Sequence, residues 1–186
     1  MTLLISVYTV VFDLIERIGD RLLPLIARFV FAATLLIYYW NSGMTKLGEG
    51  LFGLFDPSVG AYAQIFPRQL EAVGYDATQL SPVHWLLVVA GTWAEFILPV
   101  LIVLGLATRL AALGMIGFVA LQSLTDVYGH FMTDTKTLGA WFDRLPDSMI
   151  MDQRLFWVFL LSYLVIRGAG PVSLDALLRR RLRPAG

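Results

Sequence analysis

Four long apolar segments constrain the fold of this chain more than any other feature of its sequence. A helix that crosses about 30 Å of hydrocarbon needs roughly 20 consecutive, mostly apolar residues. In hydrocarbon the backbone must satisfy its own hydrogen bonds, which an α-helix does within one segment. We therefore predict an all-α fold, an integral membrane four-helix bundle. Its spans are predicted at residues 22–42, 83–107, 109–128 and 155–169.

The composition supports a membrane protein and limits its chemistry. Of 186 residues, 58% are hydrophobic and 15% are charged, whereas soluble domains average about 45–50% apolar and 25% charged residues. This length fits a single membrane domain over residues 1–186. The chain has no cysteine, so it offers neither disulfides nor thiolate ligands. We expect no nucleic-acid partner.

Turn residues mark the ends of the predicted helices. Ser81 and Pro82 suit the N-cap and first position of the second span, and Gly105 and Thr108 indicate a tight stop and restart before the third. In the long loop after the first span, the Asp-Pro pair at residues 56–57 predicts the start of a short helix that ends near Phe66.

Basic residues predict the orientation in the membrane. Arginine is concentrated in the N-terminal segment, in the turn between spans two and three, and in the tail at residues 179–183. The positive-inside rule then places both termini in the cytoplasm, and we expect the inner membrane of a bacterium. Charges at residues 13–20 leave one apolar face, which predicts an N-terminal amphipathic helix on the inner membrane surface. Membrane lipid is an expected partner of the basic tail.

Glu95 lies in the middle of the second span, where an ionisable side chain is costly. Such groups cost about 2.5–3.5 kcal/mol on insertion scales and usually face the bundle interior, where they pair. Pro99 lacks an N–H group, so the Glu95 carbonyl loses its helical partner. Thr92 shares the same face. Arg28, in the first span, is the predicted counter-ion, although a pair that only holds the helices together stays open.

A second group of polar residues lies near the outer end of the third span. Gln122, Asp126 and His130 fall on one face of that helix, at the level where the first helix ends near Lys46. This pattern predicts a polar cavity that opens outward and has Glu95 at its floor. The predicted substrate-binding residues are Lys46, Thr92, Gln122, Asp126 and His130.

A metal or haem site is an alternative interpretation of these polar residues. Asp126 and His130 give only two ligands unless His84 or Asp134 joins them, which is too few for zinc. A haem held by His84 and His130 is sterically feasible. We expect neither a haem nor a metal.

The sequence also resembles a known family, the DoxX family of small four-helix bacterial membrane proteins. The matching stretches are RFVFAATLLIYYWNSGMTKLG, AEFILPVLIVLGLATRLAAL and GAGPVSLD, and their order and spacing cover roughly residues 22–178. By resemblance, the family positions are Arg28, Gly43, Lys46, Glu95, Gly105, Thr108 and Arg109.

This resemblance implies a quinone-linked membrane redox subunit. Glu95 would act as proton acceptor beside a quinone headgroup, with Arg28 as its counter-ion. The electrons would come from a soluble or membrane redox partner, because this chain has no redox centre of its own. Two alternatives stay open, namely a non-enzymatic membrane anchor or assembly factor, and a conduit for a small solute or metal ion. Whether the chain forms a homo-oligomer, or has catalytic activity of its own, is also open.

Overall fold

Helices account for all regular secondary structure in the part of the chain that the computed structural model describes, residues 2–50 and 52–182, with the side chains of residues 2 and 3 excepted. Met1 and residue 183, which belong to the predicted N-terminal helix and basic tail, lie outside it. The prediction of an all-α fold is confirmed. The helices are α1 (Thr2–Phe31), α2 (Ile37–Met44), α3 (Val59–Ile65), α4 (Pro67–Ala72), α5 (Pro82–Leu104), α6 (Thr108–Leu124), α7 (Arg154–Arg167) and α8 (Leu174–Leu182).

The first two helices form one continuous rod. A π-helical turn, Ala32–Leu36, joins α1 to α2 without a break, so the helix runs about 60 Å at 1.5 Å per residue. An N-terminal helix was correctly predicted, but it is not a separate element, since it continues directly into the first span. The side chains from Leu4 to Phe12 are exposed, because no other described helix covers this end of the rod.

In the described part of the chain, four helices are long and apolar enough to cross a membrane. They extend over Leu4–Met44, Pro82–Leu104, Thr108–Gly129 and Met149–Arg167. Each packs on its neighbours in the order α1–α2, α5, α6, α7, and α7 returns to α1. This arrangement is an up-and-down four-helix bundle with both described chain ends on one side. We call that the terminal side, and the opposite side, which carries the two long loops, the loop side.

The predicted spans agree with these helices except in the fourth. A π-helical turn, Met149–Gln153, extends α7 backwards, so the fourth helix begins six residues before the predicted position. A similar turn, Thr125–Gly129, lengthens α6 at the loop side. The predicted stop is confirmed, because Gly105 adopts a left-handed conformation with φ of 70° and α6 starts at Thr108.

The core of the bundle lies between the four long helices. Side chains four residues apart along the first rod, including Phe31, Leu35 and Tyr39, meet apolar residues of the other three helices. Ile102, Met115 and Leu161 are fully buried in the same cluster. Tight packing here fixes the helices relative to one another and therefore positions the polar side chains among them.

A smaller apolar cluster covers the loop side of α5. Ala61, Tyr62, Leu70 and Val88 are buried together there, which holds α3 and α4 against α5. The short helix was predicted to start at the Asp-Pro pair at 56–57, with Asp56 as its cap and Pro57 as its first residue. It starts instead at Val59, because the Ser58 hydroxyl caps it by accepting a hydrogen bond from the Ala61 amide at 3.2 Å.

Candidate functional site

Helix α5 buries its polar face and exposes apolar side chains outward. Its buried residues are Val88, Thr92, Glu95, Pro99 and Ile102, which recur every three or four positions. This spacing forms one stripe on the helix. The carboxylate of Glu95 therefore lies inside the bundle, as predicted, with 4% of the residue exposed.

The partner of Glu95 is Lys46. The Lys46 ammonium group lies 3.0 Å from each carboxylate oxygen of Glu95 and is itself 4% exposed. Ser42 connects the two, because its hydroxyl accepts from Lys46 Nζ at 2.7 Å and donates to Glu95 Oε1 at 3.0 Å. Lys46 also donates to the Ser42 carbonyl at 3.2 Å. We call these three residues the acid–base cluster.

The close approach of α2 and α5 makes this contact feasible. A Cβ atom on Gly43 would lie 2.7 Å from the ring of Phe96, so only glycine fits at that position without displacing the ring. The chain after α2 is then held in place, since the Ser58 amide donates to the Lys46 carbonyl at 3.0 Å. Sequence spacing alone does not reveal this contact, because Lys46 lies two residues beyond the end of α2.

Arg28 is not the counter-ion of Glu95, and that prediction is wrong. Its guanidinium group donates to the carbonyls of Ile102 at 3.1 Å, Val103 at 2.5 Å, Ala169 at 3.2 Å and Val172 at 2.6 Å. The last carbonyls of a helix have no donor within that helix and carry partial negative charge. The end of α5 therefore attracts Arg28 more strongly than a carboxylate two turns farther along.

The terminal side is closed by a second set of contacts around Gly105. The Asp175 carboxylate accepts hydrogen bonds from the Ala107 amide at 2.7 Å and the Thr108 amide at 3.0 Å, so it caps the start of α6. The Asp175 amide donates to the Gly105 carbonyl at 2.8 Å. We call Arg28, Gly105 and Asp175 the terminal lock, because they join the first helix, the α5–α6 turn and the start of α8.

A second ion pair lies on the loop side of the bundle. Arg154, which is 3% exposed, donates to Asp126 Oδ2 at 2.5 Å and to Ser123 Oγ at 2.8 Å. The predicted fourth span begins at residue 155, so the sequence did not place Arg154 inside the bundle. A signal was present, since the apolar fourth segment begins right after Arg154, and its level in the bundle matches that of Asp126.

The family comparison identifies the chain. The DoxX family model matches residues 23–125, which is more than half of the sequence. This chain belongs to the DoxX family. No curated relative and no solved structure was found to match it.

The DoxX match contains some of these polar groups and not others. It includes the whole acid–base cluster and, of the terminal lock, Arg28 and Gly105. It ends at Thr125, so it leaves out Asp126, Arg154 and Asp175. Of the acid–base cluster, the terminal lock and the Arg154–Asp126 pair, only the acid–base cluster lies entirely within the residues that the family model matches.

The predicted outward stripe does not form one cluster in this DoxX protein. The amide of Gln122 donates to the Tyr38 hydroxyl at 2.9 Å, and its oxygen accepts from the buried Tyr39 hydroxyl at 3.4 Å. Asp126 pairs with Arg154, and the His130 Nε2 atom lies 3.0 Å from the Gln64 carbonyl oxygen. Each side chain thus has a different partner. Thr92 donates within its own helix, to the Val88 carbonyl at 2.8 Å.

The cavity expected above Glu95 stays a prediction. The two cavities described, of about 360 and 390 Å³, are lined by residues of the α6–α7–α8 junction and of the loop around Trp141, and neither includes Glu95. Among the described residues, no three His, Asp or Glu side chains come together as ligands for a metal ion. Among the three described residues of the acid–base cluster, Lys46 and Glu95 are buried and Ser42 is half-buried, so the cluster is most accessible at Ser42.

Proposed function

We propose that this DoxX protein is a quinone-linked membrane subunit, in which the acid–base cluster handles protons for a quinone headgroup beside Ser42. The observation that carries the proposal is the buried Lys46–Glu95 pair bridged by the Ser42 hydroxyl. Ionisable groups inside membrane spans are costly, and they mark proton and substrate pathways more often than other positions do. A pair needed only for packing has an equally stable apolar substitute.

The donors of the cluster suit a quinone carbonyl. A hydroxyl and an ammonium group both donate hydrogen bonds, and a quinone oxygen accepts one when the Ser42 hydroxyl turns from Glu95 towards it. Ser42 is the half-buried member, so a ligand in the lipid phase reaches the cluster there. The rings of Trp40 and Phe96 meet edge to face at 5.2 Å, and Phe96 packs against Gly43, the residue after Ser42.

A bound quinone supplies two-electron chemistry, and reduction to the quinol takes up two electrons and two protons. The electrons come from a soluble or membrane redox partner, because a chain without cysteine has no thiol to supply them. Glu95 and Lys46 pass the protons one at a time, and water on the loop side replaces them. By the positive-inside rule, the loop side faces away from the cytoplasm of a bacterial inner membrane.

Quinone content and turnover test the proposal with two variants. Protein purified in mild detergent should contain extractable quinone, and Ser42→Ala should lower this content. Asn41→Ala, at the neighbouring exposed position, is the matched control and should keep it. Glu95→Gln preserves shape but removes the titrating proton, so this variant should assemble and bind quinone yet lose quinone reduction in native membranes. Wild-type protein free of quinone, or full activity of Glu95→Gln, would exclude the proposal.

A second function, a non-enzymatic membrane anchor or assembly factor, is favoured by one observation. The Lys46 ammonium group already has four acceptor contacts, and Glu95 borders neither cavity. A cluster with so few free hydrogen-bonding positions suits a structural joint. Co-purification of a partner with quinone-free protein, together with normal assembly of that partner by Glu95→Gln, would support this function instead.

A further inference from the structure

A cavity of about 360 Å³ lies on the terminal side, where α6, α7 and α8 meet. Three arginines and three leucines line most of its wall. They are Arg109, Arg167, Arg179, Leu110, Leu178 and Leu182. It lies at the first residues of α6 and the last residues of α7, which is the level where the helices leave the hydrocarbon. The cavity is separate from the acid–base cluster.

Only one of the three arginines that line this cavity forms an ion pair among the described residues. Arg167 forms an ion pair with Asp20 of the first helix. The Asp175 carboxylate at the edge is occupied by the amides at the start of α6. Arg109 and Arg179 form no ion pair with any acid in the described part of the chain. Three arginines therefore line this cavity with only one carboxylate among the lining residues, that of Asp175, which also attracts Arg179.

Backbone geometry holds one of these arginines in place. Gly168 has φ of 76°, and a Cβ atom there would lie 3.3 Å from Arg109 Nε. Glycine thus lets the guanidinium of Arg109 lie against the chain just after α7. Arg179 approaches from α8, where its Nε donates to the Asp175 carbonyl at 3.3 Å. These two contacts fix the stems of both arginines and leave other guanidinium N–H groups for a ligand.

The exposed leucines around this cavity indicate that its ligand is an anion with an apolar part. Leu110 is 73% exposed, Leu178 is 45% exposed and Leu182 is 79% exposed, so an apolar surface surrounds the charged floor. A free inorganic anion gains nothing from this surface, whereas an acyl chain does. A phosphate group suits paired guanidinium donors. Basic pockets between membrane helices are known to bind anionic lipid headgroups.

We propose that this cavity binds one anionic phospholipid, with its phosphate between Arg109 and Arg179 and its acyl chains along the three leucines. The site attaches α8 to the bilayer surface and adds to the terminal lock, since Asp175 and Arg179 lie on the same helix. This inference is independent of quinone binding, because the two sites are on opposite ends of the bundle.

Thermal unfolding in detergent with added lipid tests the site. A phosphatidylglycerol should raise the unfolding temperature in a saturable manner, and a phosphatidylcholine with the same acyl chains should not. Arg109→Gln and Arg179→Gln should each weaken phosphatidylglycerol binding about fivefold. Arg180→Gln, an exposed neighbour on α8 that does not line the cavity, is the matched control and should leave binding unchanged.

Three results would overturn the proposal. Equal weakening by Arg180→Gln would mean diffuse attraction to the basic helix rather than a site. Equal stabilisation by phosphatidylcholine would remove the role of the anionic headgroup. Stabilisation by inorganic phosphate alone, with the same dependence on Arg109 and Arg179, would show a phosphate site and not a lipid site. Gel filtration and circular dichroism of each variant show that it is folded, and Arg179→Gln, at an exposed position, keeps the test valid if Arg109→Gln does not fold.

Discussion

The Lys46 ammonium group and the Glu95 carboxylate face each other at 3.0 Å, although one belongs to the segment after the first rod and the other to the middle of α5. Each group is about 5% exposed at its side chain. Burial makes each charge dependent on the other, because an unpaired charge in a low-dielectric interior is strongly unfavourable. The two residues should therefore behave as one unit when they are substituted.

A double-mutant cycle measures this dependence. Glu95→Leu alone leaves a buried ammonium group and should lower the free energy of unfolding in detergent by about 3 kcal/mol or more. Adding Lys46→Met should restore most of the loss, since both charges are then gone. Lys136→Met, at an exposed loop position, is the control and should change stability by less than about 0.5 kcal/mol. Additive losses at Glu95 and Lys46 would mean that the two do not interact.

Arg28 should not tolerate lysine, despite the conserved charge of that exchange. Its planar guanidinium group donates hydrogen bonds to four carbonyl oxygens, two at the end of α5 and two after α7. The single ammonium group of lysine cannot reach all four. Arg28→Lys should lower the free energy of unfolding by about 2 kcal/mol. The matched exchange Arg17→Lys, at an exposed position on the same helix, should have almost no effect. Similar unfolding temperatures for both variants would contradict the role of Arg28.

Gly105→Ala should destabilise the bundle for two reasons. The residue has φ of 70°, which disfavours any side chain by about 1–2 kcal/mol. Its new Cβ atom would also lie 2.6 Å from the Ser173 Cβ and 2.9 Å from Arg28 Cζ. Gly117→Ala is the control, since it is helical and open within 4 Å, and it should raise stability by up to about 1 kcal/mol. In thermal unfolding, the unfolding temperature should fall for Gly105→Ala and rise for Gly117→Ala, each relative to the wild type.

Asp175 should make stability depend on acid pH. Burial of the carboxyl group acts against ionisation, but hydrogen bonds from Thr108 and Ala107 outweigh it and lower the pKa of Asp175 below its ordinary 3.8. A group with a lowered folded-state pKa contributes stability above the unfolded pKa and loses it as the pH falls through the folded value.

Unfolding temperatures between pH 6 and pH 3 test the contribution of Asp175. Asp175→Asn should be less stable than wild type by about 1 kcal/mol at pH 6, and the difference should shrink below pH 3.8. Asp147→Asn, at an exposed position in the loop between α6 and α7, is the control and should change stability at pH 6 by less than about 0.5 kcal/mol. A constant difference for Asp175→Asn would exclude an ionised cap.

The sequence predicted the helices well because membrane spans depend on local composition. Four apolar segments with glycine and proline at their ends are sufficient to place α5 and α6 within a few residues. The partner of Glu95 was not predictable in the same way. Lys46 reaches it only because Gly43 packs on Phe96 and Ser58 binds the chain after α2, and these contacts join residues far apart in sequence.

The two arginines show why spacing gave the wrong partner. Arg28 was matched to the nearest intramembrane acid by sign of charge, but the carbonyls at a helix end are also strong acceptors for a cation. Arg154 was left outside the predicted fourth span because the apolar run begins after it, whereas a π-helical turn extends α7 backwards to Met149. Both errors come from acceptors and turns that backbone geometry creates.

Single cysteines introduced by substitution test the predicted topology, because the chain has no cysteine of its own that would react with a thiol reagent. Leu145→Cys lies in the exposed loop after α6, and Leu182→Cys lies at the exposed end of α8. A membrane-impermeant thiol reagent applied to intact cells should label position 145 and not position 182. After the cells are opened, both positions should react. Labelling at 182 but not at 145 in intact cells would reverse the orientation.

The Lys46–Glu95 pair also has a consequence for how the protein is made. The two residues are 49 positions apart, and a ribosome that adds 5–20 residues per second needs roughly 2 to 10 s to pass from one to the other. During that interval the first helix is made while Lys46, two residues beyond its end, has no carboxylate to pair with. An unpaired Glu95 is costly in hydrocarbon, and association with the first helix offsets that cost. For this chain, entry of the second helix into the bilayer and assembly of the helical pair are one coupled event of biogenesis.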